Sequence, residues 1–159
     1  SFPMVVIVAL RNEMNTLLYQ FMQKSRRRGK IANMIKLIHL GTGGTHSKQV
    51  GEEVKRVNRI RECRLSNTPN IKGAYTVVLS DKSNNVLTLD VLKTILSRDS
   101  VSFVVGDSNG VPENLMKAAD EVYTLTAIPT THQLQALILA EALSTSIMQM
   151  NYDSKTSTG

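Results

Sequence analysis

Tryptophan is absent from this 159-residue chain, and aromatic residues make up only 4% of it. Aliphatic side chains must therefore fill any core, and a hydrophobic content of 42% at this length suffices for one domain. Cysteine occurs once, at Cys63, which excludes an internal disulfide and a cysteine metal cluster and suits a reducing intracellular compartment. No apolar run approaches the ~20 residues of a membrane span, so no membrane partner is expected. The run Met4 to Leu10 is too short for a signal-peptide core with flanks, and no cleavage motif follows it. A start at Ser1 rather than Met suits either a processed precursor or a trimmed chain. On the first reading, an imported organellar protein, the mitochondrial matrix is favoured over a bacterial cytoplasm.

Arginine is missing after Arg98, and the net charge of +6 hides the resulting asymmetry. Residues 1–64 carry 13 Lys and Arg against 4 Asp and Glu, a net of +9, whereas residues 65–159 carry 6 against 9, a net of −3. A basic half suggests a polyanion, and nucleic acid is the natural one; solvated helix faces are the plainer alternative.

Strand-length apolar runs alternate with helix-length segments. MVVIVAL (Met4 to Leu10) reads as a buried strand, and Asn12 caps a helix over 13–24 that ends at Arg26-Arg27-Arg28. MIKLIHL (Met34 to Leu40) is a second strand, followed by GTGGTH (Gly41 to His46) and a helix over 47–64. Val50, Val54, Val57 and either Ile60 or Arg61 form its buried stripe, with Glu52 placed to pair with Arg56. SNTPNIKG (Ser66 to Gly73) is a connector. Strands follow at 74–80, 101–106 and 122–127, and helices at 89–96, 112–120 and 133–150. The fold class is α/β, with a mostly parallel sheet flanked by helices. Residues 1–150 read as one domain and residues 151–159 as a polar, frayed tail.

GTGGTH matches neither GxGxxG nor a GK[ST] ending, which leaves a flexible connector or an RNA-facing loop. His39, His46 and His132 have no ligand at metal spacing, and no nucleophile elbow is present, so no metal site or catalytic residue is assigned and a hydrolase is a minor alternative. The strongest grouping is three loops at the carboxyl ends of strands: Leu79-Ser80-Asp81, Gly106 to Gly110 and Thr126 to His132.

Read together, FVVGDSNG (Phe103 to Gly110), YTLTAIPTTH (Tyr123 to His132) and ILAEALSTSI (Ile138 to Ile147) resemble the SPOUT superfamily. The nearest pattern is that of the RlmH-type enzymes, which methylate a pseudouridine of large-subunit ribosomal RNA. That pattern runs F-x-I-G-G-x-x-G, S-L-S-x-x-T-x-P-H, E-Q-L-Y-R-A and a terminal Y-H. The resemblance implies a SPOUT fold with a C-terminal trefoil knot, paired subunits, and S-adenosylmethionine held largely by backbone atoms. Carried onto this chain, it implies cofactor contacts at Leu79, Gly106, Gly110, Leu125, Thr126, Ala127, Ile128, Pro129 and Thr130.

Several positions depart from the family pattern. Asp107 stands at the loop's second glycine, Ala136 at an arginine, Ser144-Thr145 at the Tyr-Arg pair, and Tyr152-Asp153 at the terminal Tyr-His. Those are the residues expected to meet RNA phosphates, whose loss removes affinity. The expectation is a degenerate SPOUT protein that binds large-subunit ribosomal RNA. It would serve as an assembly factor, or as the non-catalytic subunit of a homodimer or of a heterodimer with a related SPOUT chain. The expected RNA contacts are Arg26, Arg27, Arg28, Lys48, Lys55, Arg56, Arg59 and His132. The alternative is an active S-adenosylmethionine-dependent rRNA pseudouridine N3-methyltransferase.

Overall fold

A parallel strand covered on both faces needs apolar residues at consecutive positions, and the described residues supply three such runs. They form β1 (Met34–His39), β3 (Tyr75–Leu79) and β4 (Ser100–Val105) in the computed structural model, which describes residues 33–41 and 44–157. Two shorter strands, β2 (Cys63–Ser66) and β5 (Glu121–Tyr123), complete a five-stranded sheet ordered β2-β1-β4-β3-β5. Every neighbouring pair is parallel, so all carboxyl ends lie along one edge. The helices are α1 (Ser47–Asn58), α2 (Leu89–Leu96), α3 (Glu113–Ala118) and α4 (His132–Ser157).

Alternation along each strand divides the core into two layers. Ile35 and Leu37 of β1, Val77 and Leu79 of β3, and Val101, Phe103 and Val105 of β4 face one side. There they pack with Val50, Val54 and Val57 of α1, Leu92, Ile95 and Leu96 of α2, and Leu139, Leu143 and Ile147 of α4. Ile38, Val78 and Val104 face the other side and meet Leu115 of α3 and Ile71 of the 67–74 connector. The apolar face of α4 lies across α1 and α2, and this packing joins the last helix to the rest of the fold. Thr88 caps α2 by accepting from the Val91 N–H at 3.3 Å, as a threonine before a helix can.

Several boundaries differ from the sequence expectation. The second expected helix stops at Asn58 rather than at residue 64, and the chain turns through Arg59 and Ile60 into β2. β2 escapes a sequence reading because it is four residues long and lies at the sheet edge; only Cys63 is buried, while Arg64 and Leu65 are exposed. Within α1 the ion pairs run Glu52–Lys55 (3.9 Å) and Glu53–Arg56 (3.6 Å), not Glu52 to Arg56. The strand expected over 122–127 is shortened to Glu121–Tyr123, and Thr124 is held instead by Asn85 O and Leu87 N. The last helix does not fray at residue 150 but continues to Ser157. Met4 to Leu10, the helix over 13–24 and Arg26 to Arg28 lie outside the described residues.

Of the two candidates for the fourth position of the α1 stripe, Arg61 is the buried one, at 2% exposure. Its guanidinium donates to the carbonyls of Leu96, Arg98 (2.6 Å) and Asp99 (3.3 Å). It thereby serves carbonyls at the end of α2 that the helix itself leaves unpaired. The turn before β2 is thus fastened to the turn before β4.

Candidate functional site

Because the strands are parallel, the segments leaving β1, β3 and β4 emerge side by side, which is where α/β sheets hold ligands. A cleft of about 410 Å³ opens there, within the range of small-molecule sites. It is lined by Leu79, Ser80 and Asp81 after β3, by residues 106–108 with Gly110 and Val111 after β4, and by Thr130 to Gln133 with Gln135 at the start of α4.

The loop after β4 is shaped by its own backbone. Gly110 adopts φ +87°, and its N–H donates to the Asp107 carbonyl at 2.9 Å, which closes a tight turn. A Cβ at Gly106 would lie 2.4 Å from the Gly110 carbonyl carbon, so only glycine fits beneath that turn. The glycine is needed for the closure of the loop on itself. Asp107 accepts the Asn109 N–H at 2.8 Å through Oδ1, so one carboxylate oxygen is engaged within the loop while the residue lines the cleft.

At the opposite wall, Thr131 caps α4 by accepting the Leu134 N–H at 3.2 Å. Gln135 Nε2 donates to the Thr130 carbonyl at 3.2 Å and fixes the strand of chain entering the helix. The Thr130 hydroxyl oxygen is buried with no hydrogen-bond partner in the protein. A buried polar atom in that state costs stability unless something pairs with it, and here it borders the cleft.

His132, the first residue of α4, meets His39, the last residue of β1, with Nδ1 and Nε2 at 2.9 Å and ring centroids 5.2 Å apart. One ring nitrogen donates and the other accepts. Burial, and next the neighbouring His132, hold His39 below its usual titration range. A Cβ at Gly41 would lie 2.6 Å from His132 Cε1, so the absence of a side chain there admits the pair.

The expected cofactor residues divide into two groups. Leu79, Gly106, Gly110 and Thr130 come together around this cleft, with His132 beside them. Leu125, Thr126, Ala127, Ile128 and Pro129 are not among its lining residues. Leu125 packs instead against the core, and Ile128 is 75% exposed. Ala136, where an arginine was expected to meet phosphate, is fully buried beneath α4. That position faces the core, so the absence of an arginine there is explained by packing.

The expected RNA contacts on α1 form a surface. Lys48, Lys55 and Arg59 are exposed at spacings of seven and four, on the side away from the buried valines, with Arg56 alongside. Sequence reading missed His39 and Gln133 as site features, and it named Thr130 without the buried, partnerless state of its hydroxyl; only the position of His39 at the end of an apolar run hinted at a site role. Among the described residues no helix is long and apolar enough to cross a membrane.

A family model described as a predicted SPOUT methyltransferase matches residues 4–151. Ribosomal RNA large subunit methyltransferase H of Thermus thermophilus is 30% identical over 77 residues, covering 47% of this chain and 56% of that protein. The protein of the same name from Campylobacter hominis is 24% identical over 72 residues, covering 45% and 48%. The chain thus spans about half the length of the curated relatives it matches. Among solved structures, a probable methylase family protein from Haemophilus influenzae aligns over 75% of this chain and 67% of its own, with TM-score 0.49 and 9% identity.

Proposed function

The chain belongs to the SPOUT methyltransferase family, and on that premise we propose that it binds large-subunit ribosomal RNA and does not transfer a methyl group unaided. The observation that carries this reading is a separation of charge from cleft. Among the described residues, no lysine or arginine lines the cleft, whereas Lys48, Lys55 and Arg56 lie on α1 and Arg59 directly follows its last residue. Phosphate contacts supply most sequence-independent affinity for nucleic acid, so α1 is the surface that grips and the cleft is not. Arg26, Arg27 and Arg28, which lie outside the described residues, are further phosphate contacts on this reading.

The cleft suits S-adenosylmethionine in size and chemistry. Backbone around Leu79, Gly106 and Gly110 would hold it, the partnerless Thr130 hydroxyl offers it a hydrogen bond, and Asp81 and Asp107 suit a cation. When bound, that cofactor supplies a methyl group activated by a sulfonium. The trefoil knot and a second SPOUT chain, identical or related, complete the reading. Leu134, Ile138, Met148 and Tyr152 share the face of α4 turned away from the core, and Met148 and Tyr152 are 40% and 68% exposed. On this reading a partner covers that face and supplies the cations that the described lining of the cleft does not.

The test pairs ribosome binding with methyl transfer. Replacing Lys48, Lys55 and Arg59 together with Ala should weaken binding to large-subunit particles and lower the salt slope by roughly 3, near one per phosphate contact. The chain alone should leave those particles unmethylated. An unchanged salt slope removes the RNA surface. Methylation by the isolated chain establishes the second reading, an S-adenosylmethionine-dependent rRNA pseudouridine N3-methyltransferase. The His39–His132 pair favours that reading, because a neutral imidazole at the cleft could accept a proton.

A further inference from the structure

The loop after β4 carries a peptide link whose chemistry neither RNA binding nor methyl transfer needs. Asn109 is the only asparagine of the chain followed directly by glycine. Glycine has no Cβ, so its backbone nitrogen can approach the preceding side-chain amide without hindrance. Ser108, Asn109 and Gly110 are all exposed, and a Cβ built on Gly110 would meet nothing within 4 Å. Water therefore reaches the link from the open side of the loop.

Two hydrogen bonds hold that link away from reaction. The Gly110 N–H donates to the Asp107 carbonyl at 2.9 Å, and the Asn109 N–H to Asp107 Oδ1 at 2.8 Å. While the turn is closed, the Gly110 nitrogen is engaged with a carbonyl and cannot swing onto the Asn109 side chain. Local opening of an exposed loop tip takes far less free energy than global unfolding, so the turn opens within the native fold.

We propose that Asn109–Gly110 is a site of spontaneous isoaspartate formation, restrained by its turn and released when the turn opens. In the open state the Gly110 backbone nitrogen gives its proton to hydroxide and attacks Cγ of Asn109. A bond forms between that nitrogen and Cγ, the Cγ–Nδ2 bond breaks, and Nδ2 takes up a proton and leaves as ammonia. One water then opens the resulting succinimide at either carbonyl, which yields an aspartyl or an isoaspartyl link.

The consequence falls on the wall of the cleft. An isoaspartyl link routes the main chain through the former side chain and lengthens it by one methylene. A Cβ at Gly106 would already lie 2.4 Å from the Gly110 carbonyl carbon, so the turn has no slack for an added atom. The same conversion places a new carboxylate two residues from Asp107, which lines the cleft. Conversion of one exposed residue thus unmakes a wall of the site, at a rate set by how often the loop opens.

The full chain is incubated at mildly alkaline pH and digested, and its peptides are resolved by mass spectrometry with fragmentation that distinguishes isoaspartate. Asn109 should convert ahead of every other asparagine, yet roughly tenfold more slowly than in an unfolded peptide of the same loop, the order of one or two net hydrogen bonds. Gly106→Ala, which crowds the turn, should raise the rate toward that of the peptide, and Asn109→Ser should abolish the conversion. In the separated isoaspartyl form the Gly110 amide should exchange its hydrogen roughly tenfold faster, as loss of its bond to Asp107 requires. Asn109 left intact while other asparagines convert would overturn the proposal, as would equal rates in the folded chain and the peptide. A Gly110 amide still protected in the isoaspartyl form would overturn the effect on the wall. None of these readouts uses a ligand, so the proposal stands or falls apart from the RNA and cofactor readings.

Discussion

His39 and His132 stand 93 positions apart in the chain, yet their rings meet at 2.9 Å where β1 ends and α4 begins. The contact ties the first described strand to the last helix beside the cleft. It needs at least one neutral ring, since two imidazolium groups have no acceptor between them. Stability and site geometry are therefore linked to pH through one pair.

Lowering the pH below neutrality should destabilise the fold through His39. Its folded pKa lies below the ordinary value of 6.5. As pH falls through that value, the unfolded chain gains a proton that the folded chain refuses, and the contribution is lost until His39 protonates in the fold too. Urea midpoints at pH 7 and pH 5.5 should differ, and His39→Gln should shrink the difference. An equal difference in the variant would show that other groups carry the effect.

Gly106→Ala should open the turn closed by Gly110, because the new methyl has 2.4 Å where backbone stands. Overpacking of this kind costs about 1–3 kcal/mol. Because the same turn walls the cleft, S-adenosylmethionine binding, measured by calorimetry, should fall more than the midpoint of unfolding implies. A variant with unaltered stability would contradict the steric account.

Arg61→Ala should cost about 3 kcal/mol, since the buried Leu96 carbonyl at the end of α2 and the part-buried Arg98 carbonyl beyond it lose a charged donor. Arg61→Lys should recover only part, because an ammonium lacks the planar fork that reaches several carbonyls at once. Equal stability of the lysine variant and the parent would show that charge alone suffices.

Cys63 should resist thiol reagents in the native chain. Burial pushes its thiol up to about 12, although Arg61 acts in the opposite direction. At pH 8 the reactive thiolate is then scarce in the fold and returns on unfolding, so labelling should track the urea transition. Rapid labelling without denaturant would mean that the edge strand opens readily.

The elements legible from sequence were those whose local pattern leaves no choice. The apolar runs at 34–40 and 101–106 can be satisfied only between two layers, and α2, with its Thr88 cap, was placed at its observed ends. Leu79, Gly106 and Gly110 were legible as loop residues for the same reason, since the ends of parallel strands converge. β2 was not, because four residues with one buried side chain carry no period. Ala136 misled because spacing from a histidine does not tell which side of a helix faces the core.

By itself, the sequence determined the α/β class, the basic first half and the family pattern over its last sixty residues, all of which depend on local periodicity and composition. Tertiary structure decided the rest. It buried Arg61 and left Ile60 half covered, placed His39 against His132, and turned Gly106 toward its own loop. Each of these is a contact between distant segments, fixed by how the sheet edge and α4 pack, and no local pattern encodes that distance.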